Sequence, residues 1–264
     1  MEFGVVSAAS IAGMFFALLV SVGLPIALMV MGLVKYKAKI TSFLTGAGVF
    51  ILFALTLEQC FHLGVFALAG GQDKLMANIW VYGLYGGAAA AVFEETGRWI
   101  AMKFFLKNCR DRKNAFMYGV GHGGIEAILI VGLTSISNIA TSIAINSGTI
   151  KSVMALLDEN TRQVTFDQIS QLWTLPSYQF FLGGAERIFA IAGHIAMTFF
   201  MYKGVKFGKK QYVALAFLYH FVMDFGTVIL ANYTNFIVVE TVLAVFAAAG
   251  VLFAYLINKD EENE

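Results

Sequence analysis

An all-α integral membrane protein, a bundle of seven transmembrane helices with the N-terminus outside and the C-terminus cytoplasmic, is the fold class this sequence predicts. Three observations predict it. Apolar runs of about 20 residues or more, each long enough to cross about 30 Å of hydrocarbon, recur along the whole chain. Of its 264 residues 59% are hydrophobic and 13% charged, where a soluble domain carries about 25% charged residues. The basic residues gather in alternate breaks between the runs, and that asymmetry sets orientation. One polytopic membrane domain, 1-264, is expected to fill the chain.

The seven runs lie near residues 5-34, 41-60, 79-106, 114-146, 177-202, 211-231 and 236-257. The first has no basic segment before it and is too long for a signal-peptide core, so it is expected to remain as a helix. Lys35, Lys37 and Lys39, then Lys103, Lys107, Arg110, Arg112 and Lys113, then Lys203, Lys206, Lys209 and Lys210, and finally Lys259 all fall in the odd-numbered breaks. The opposite side carries only Lys74, Lys151 and Arg162. The basic side is the cytoplasmic one. The polar segment 147-176 is interleaved with Val153, Leu156, Leu157, Ile169, Leu172 and Trp173 and is expected to form short amphipathic helices on the outer surface. Cys60 and Cys109 stand on opposite sides in this topology and cannot pair with each other. A net charge of +1 and the scattered basic clusters give no sign of a nucleic-acid partner. The acidic tail Asp260 to Glu264 reads as a solvated end.

Against this apolar background the ionisable residues stand out. The third helix carries Glu94, Glu95 and Arg98, the fourth His122 and Glu126, the fifth Glu186, Arg187 and His194, and the sixth His220 and Asp224. Each such group at mid-bilayer costs about 2.5 to 3.5 kcal/mol on insertion scales and so needs a partner or a role. At 1.5 Å of rise per residue, Glu94, His122, His194 and His220 all fall roughly 12 to 15 Å from the basic end of their helices. Glu126 and Asp224 follow His122 and His220 at i,i+4, one turn further out. A two-layer polar site is expected, with Arg98 paired to Glu94 at i,i+4. The plainer alternative is polar glue between helices, which is common in membranes. It accounts for single residues better than for three histidines and two adjacent glutamates at one depth, since imidazole is the usual tool for proton transfer and metal ligation. His62 falls outside this layer and reads as interfacial; Trp80, Trp99 and Trp173 read as interfacial or packing aromatics.

The ordered set Glu94-Glu95-Thr-Gly-Arg98, Tyr118-Gly-Val-Gly-His122 and His220-Phe-Val-Met-Asp224 resembles the intramembrane proteases that include the CAAX prenyl endopeptidases, PrsW and the YhfC family, and is most similar to YhfC. It departs from the CAAX pattern in the position of the arginine and in ending on Asp224, which places it nearer PrsW and YhfC. His194 is similar to an additional histidine of the PrsW group. The layout also resembles the seven-helix scaffold subunit of gamma-secretase.

The resemblance implies an intramembrane peptidase acting on a membrane-embedded or membrane-proximal protein in a bacterial or archaeal cell membrane. Glu94 or Glu95, bonded to His122, would activate the attacking water, with His220 and Asp224 on the scissile carbonyl and Arg98, His194 and Glu126 in support. A metal-free mechanism is preferred, because no local His-Glu-x-x-His signature is present. The zinc alternative uses His122, His194 and His220 as ligands. Outside enzymes, the alternatives are a proton- or metal-coupled transporter, for which no inverted repeat appears, and a non-catalytic scaffold.

Overall fold

The computed structural model describes residues 2–259, so the acidic tail lies outside the described residues. These residues are helical nearly throughout, with no strand among them. In chain order the helices are α1 (Ala8–Val34), α2 (Ile40–Leu52), α3 (Gln59–Ala69), α4 (Gln72–Met76), α5 (Ile79–Ile100), α6 (Arg112–Glu126), α7 (Leu133–Asn146), α8 (Ile150–Met154), α9 (Glu159–Thr174), α10 (Ser177–Lys206), α11 (Lys210–Tyr233) and α12 (Phe236–Asn258). Three π-helical stretches join or extend them: Phe53–Glu58 between α2 and α3, Ala101–Phe105 after α5, and Ala127–Gly132 between α6 and α7. Each extra residue in such a turn rotates the following helix relative to the preceding one, and such bulges often mark functional positions.

Six segments among the described residues are long and apolar enough to cross a membrane: Ala8–Val34, Ile40–Ala69, Arg112–Asn146, Ser177–Lys206, Lys210–Tyr233 and Phe236–Asn258. The expected third span, α5, has the length, at 22 residues, but Glu94, Glu95, Arg98 and its glycines dilute its hydropathy. The second span continues to Ala69 rather than ending near residue 60. Large apolar side chains face outward in number: Leu19 is 70% exposed, Leu63 71% and Val245 65%, while Glu94, Glu95, Arg98, His122, His194 and His220 are buried. That distribution is the inverse of a water-soluble fold and belongs to a protein whose outer solvent is lipid. The molecule is an integral membrane protein.

The chain divides into two compact units, Met1–Leu24 with Ala127–Ile188 and Pro25–Glu126 with Phe189–Glu264. In the first, Val6, Met14, Ile139, Ile145, Ile150, Met154 and Leu172 form the core, with Trp173 packed on Phe3 and Phe166. The Asn146 side chain pairs with the Val6 backbone through both its groups, at 2.8 and 2.9 Å, so the extended lead into α1 has its peptide satisfied without a sheet. The polar segment 147-176 is helical as expected, as α8 and α9. Asp158 caps α9, accepting from Thr161 N–H at 3.0 Å; hydrogen bonds from Thr161 hold its carboxyl below its ordinary value.

In the second unit, glycines let helix backbones touch. A Cβ on Gly121 would overlap the Phe43 carbonyl, and one on Gly46 the Tyr118 carbonyl, so α2 and α6 are in backbone contact. On the adjoining face of α6, Gly119 and Gly123 meet Ile195 and His194 of α10. Gly87 brings α5 against the backbone of α11 at Phe221 and Phe225. Lipid supplies no hydrophobic drive between helices, so close backbone packing of this kind replaces it. It also draws α5, α6, α10 and α11 together around the ionisable residues. Cys60 and Cys109 are both free thiols.

Candidate active site

Glu94, Glu95 and Arg98 on α5, His122 on α6, His194 on α10 and His220 on α11 converge in the second unit, all buried. Adjacent residues on a helix point about 100° apart, and the two glutamates accordingly do different things. Glu94 reaches α6: its Oε2 is 2.8 Å from His122 Nε2, as expected from the sequence. Glu95 faces α10 and α11: Oε2 is 3.0 Å from Arg98 Nε, and Oε1 is 2.9 Å from His220 Nδ1.

Arg98 therefore pairs with Glu95 at i,i+3, not with Glu94 as the i,i+4 spacing suggested. Its guanidinium turns across to α10, where Nη1 donates to the His194 carbonyl at 2.7 Å and to Thr198 Oγ1 at 2.5 Å. Nη2 lies 3.1 Å from His194 Nδ1. A guanidinium only donates, so Nδ1 accepts, and His194 Nε2 carries the hydrogen it shares with Glu126 Oε2 at 2.5 Å. Glu126 is thus engaged across the helix interface by His194 rather than along its own helix by His122. Asp224 does follow its own histidine, with Oδ2 at 3.4 Å from His220 Nε2, and remains one-third exposed. His220 Nε2 also faces Glu94 Oε1 at 4.0 Å. The rings of His122 and His194 are 4.9 Å apart, and Phe50 of α2 closes the cluster edge-on to His122.

Three participants escaped the sequence reading. Thr198 stands four residues after His194, repeating the His-xxx-polar spacing of His122/Glu126 and His220/Asp224, a periodicity that would have found it. Phe50 carried no signal beyond its apolarity. Glu58, buried at the end of the first π-helical stretch, falls in the polar triplet Glu58-Gln59-Cys60, which in the sequence resembles the end of the second span. His62 is likewise not a plain interfacial residue: Nε2 is 3.2 Å from Glu58 Oε1 and Nδ1 is 2.5 Å from the Tyr85 hydroxyl.

Glu94, His122 and His194 each offer one ligand atom, all within 4.8 Å of one another. Two imidazoles and a carboxylate suit a divalent metal such as zinc. His122 Nε2 is the nitrogen that faces Glu94 Oε2, at 2.8 Å, so a metal shared by the two would take the place of the hydrogen between them. On His194, a metal at Nε2 would replace the hydrogen shared with Glu126. The residues fit such a group, and Glu94 stands where His220 was expected in the set, because His220 is held by Glu95 and Asp224.

A polytopic helical membrane protein that buries carboxylates and imidazoles from four helices in one cluster has the makings of an intramembrane hydrolase or metal site. The chain belongs to the YhfC family: the family model described as YhfC intramembrane metalloprotease matches residues 18–245. It is 36% identical over 230 residues to the "Uncharacterized membrane protein YhfC" of Bacillus subtilis (strain 168), covering 86% of this chain and 88% of that one. No solved structure matches it significantly. The family's description gives no support to the metal-free preference drawn from the missing local signature. That signature reads two histidines on one helix, whereas here the donors come from α5, α6 and α10, and spacing along one helix cannot register them.

Proposed function

We propose that this protein is an intramembrane peptidase in which Glu94 takes the proton of the attacking water. The observation that carries the reading is the buried Glu94–His122 pair at 2.8 Å, set beside His194 and His220. His122 fixes Oε2, leaving Oε1, 4.0 Å from His220 Nε2, as the oxygen that accepts the proton. His220, itself fixed by Glu95 through Nδ1, turns Nε2 toward the same space and is placed to donate to the carbonyl oxygen as it gains negative charge. Asp224, at the more open edge, orients that ring. Glu94, His122 and His194 would hold a divalent metal, which when bound supplies Lewis-acid polarisation. Exclusion of bulk water by the surrounding helices strengthens each of these interactions. The substrate class is a peptide within or next to the bilayer, since the cluster lies on helices whose outer faces are apolar.

Metal content and cleavage of membrane peptides by the purified protein test this together. The expected result is about one divalent metal per chain, absent in His122→Ala and His194→Ala but retained in His220→Ala, with cleavage lost in all three. Equal activity before and after complete removal of metal would sink the metal part and leave Glu94 as a metal-free base. We further propose one membrane domain of seven spans, α5 included, with the N-terminus outside and the C-terminus cytoplasmic, on the strength of the basic-residue asymmetry. Reporters fused after Lys113 or Lys210 should then be cytoplasmic and one inserted near Asn160 external; opposite labelling would reverse the orientation.

A further inference from the structure

Glu58 is a buried carboxylate that the reaction above does not use. Its side chain is 8% exposed, and it closes the π-helical stretch whose first residue, Phe53, packs on Gly97 of α5; five residues further along the antiparallel segment, Glu58 falls near the level of Glu94. On its other side begins a continuous hydrogen-bonded chain. With His62 Nε2 donating to Glu58 Oε1 at 3.2 Å, Nδ1 is left to accept from the Tyr85 hydroxyl at 2.5 Å. The whole chain can reverse: a protonated Glu58 donates to Nε2, and Nδ1–H then donates to the phenol oxygen. Such reversal is what passing one proton along the chain requires, and imidazole with its two ring nitrogens is the side chain suited to the middle position.

The placement of the three residues has a direction. Tyr85 stands nine residues before Glu94 on α5, about 13 Å along the axis, toward the helix start at Ile79. His62 lies on α3, which ends at Ala69 on the same side. The chain thus leads from the level of the cluster to the membrane face at which α5 begins. Aromatic rings line its course: Phe66 stacks on His62 at 5.7 Å, Phe61 on Tyr85 at 6.2 Å, and Phe61 meets Phe93 at 5.4 Å. A polar link serving only to hold α3 to α5 needs one hydrogen bond; the Tyr85–His62 bond would suffice, and a buried carboxylate behind it would add only desolvation cost.

We propose that Glu58, His62 and Tyr85 are the proton path between the buried cluster and the membrane face at which α5 begins. Its use in turnover rests on the peptidase reading. There the water oxygen bonds to the carbonyl carbon, the C–N bond breaks, and the proton taken by Glu94 goes to the leaving nitrogen, giving a carboxylic acid and an amine. The acid then passes its proton to Glu58 and leaves as carboxylate. Glu58 returns that proton through His62 to water at the membrane face, where the departing amine gains one, so charge and atoms balance.

Two measurements test the path, the first independent of catalysis. In detergent-solubilised protein with labelled histidine, deuterium exchange at the ring N–H of His220, followed by NMR, is expected to slow roughly tenfold or more in Glu58→Gln and His62→Leu. Unchanged or faster exchange overturns the proposal, since mere loosening of the helices would speed it. In the second, kcat for a cleaved membrane peptide should fall roughly tenfold in the same variants with KM unchanged and recover with added imidazole. Glu94→Gln should not recover. Loss of activity that imidazole cannot restore, or a fall that appears in KM, assigns Glu58 a structural role and overturns the path. Exchange slowed in the two variants, with no cleavage by the wild-type protein, would uphold the path and defeat the peptidase reading instead.

Discussion

Glu94→Gln is expected to lower cleavage by about two to four orders of magnitude, the usual contribution of a positioned general base. The substitution keeps shape and one hydrogen-bond acceptor, so the contact with His122 survives in outline while the proton acceptor is gone. His122→Ala should do equal damage by freeing the carboxylate it holds at 2.8 Å. Three comparisons separate chemistry from folding. Glu95→Gln should lose activity together with stability, because Glu95 is the ion-pair partner of a fully buried guanidinium. Glu94→Gln should lose activity with little change in unfolding. Glu186→Gln should do least, since Glu186 lies in the other compact unit, next to Arg187 with which it pairs. Cleavage at the wild-type rate by both Glu94→Gln and Glu95→Gln would end the reading of a glutamate as the base that activates the water.

The helices and the membership of the cluster were legible in the sequence for one physical reason: a bilayer makes every internal charge conspicuous. Glu94, His122, His194 and His220 could be set at one depth because helical rise converts residue number into distance. What could not be read was which partner each group takes. The i,i+4 rule assigns neighbours on an isolated helix, but Arg98 chose Glu95 and α10, and Glu126 chose His194, because α6 and α10 approach closely at Gly119 and Gly123. Lateral packing decided these pairs, and glycine spacing announces closeness without saying to whom. Glu58 was lost for another reason. A polar triplet after eighteen helical residues resembles a helix end, whereas the π-helical stretch Phe53–Glu58 carries the chain on to Ala69. The same dilution of hydropathy by Glu94, Glu95 and Arg98 that marks α5 as functional removes it from the spans recognisable by apolarity alone.

Arg98→Ala should be the most destabilising single change in the cluster, by about 3 to 5 kcal/mol, the loss expected when one member of a buried ion pair is removed. The guanidinium is wholly buried and joins four groups: Glu95 at 3.0 Å, the His194 carbonyl at 2.7 Å, the His194 ring at 3.1 Å and Thr198 at 2.5 Å. Without it Glu95 keeps only His220, and a buried carboxylate loses its counter-charge in a low-dielectric interior. Arg98→Lys keeps the charge but not the planar fork, so it can satisfy Glu95 or α10 but not both, and should fall between alanine and wild type. The double variant Arg98→Ala/Glu95→Gln should recover part of the loss, because neutralising the carboxylate removes the uncompensated charge; a deficit equal to the sum of the two single changes would show the pair is not coupled. Unfolding of the purified protein in mixed micelles measures all four. If Arg98→Ala unfolds within about 1 kcal/mol of wild type, a value typical of exposed ion pairs, then this network does not hold α5 against α10, and the position of Glu94 beside His122 depends on the glycine contacts alone.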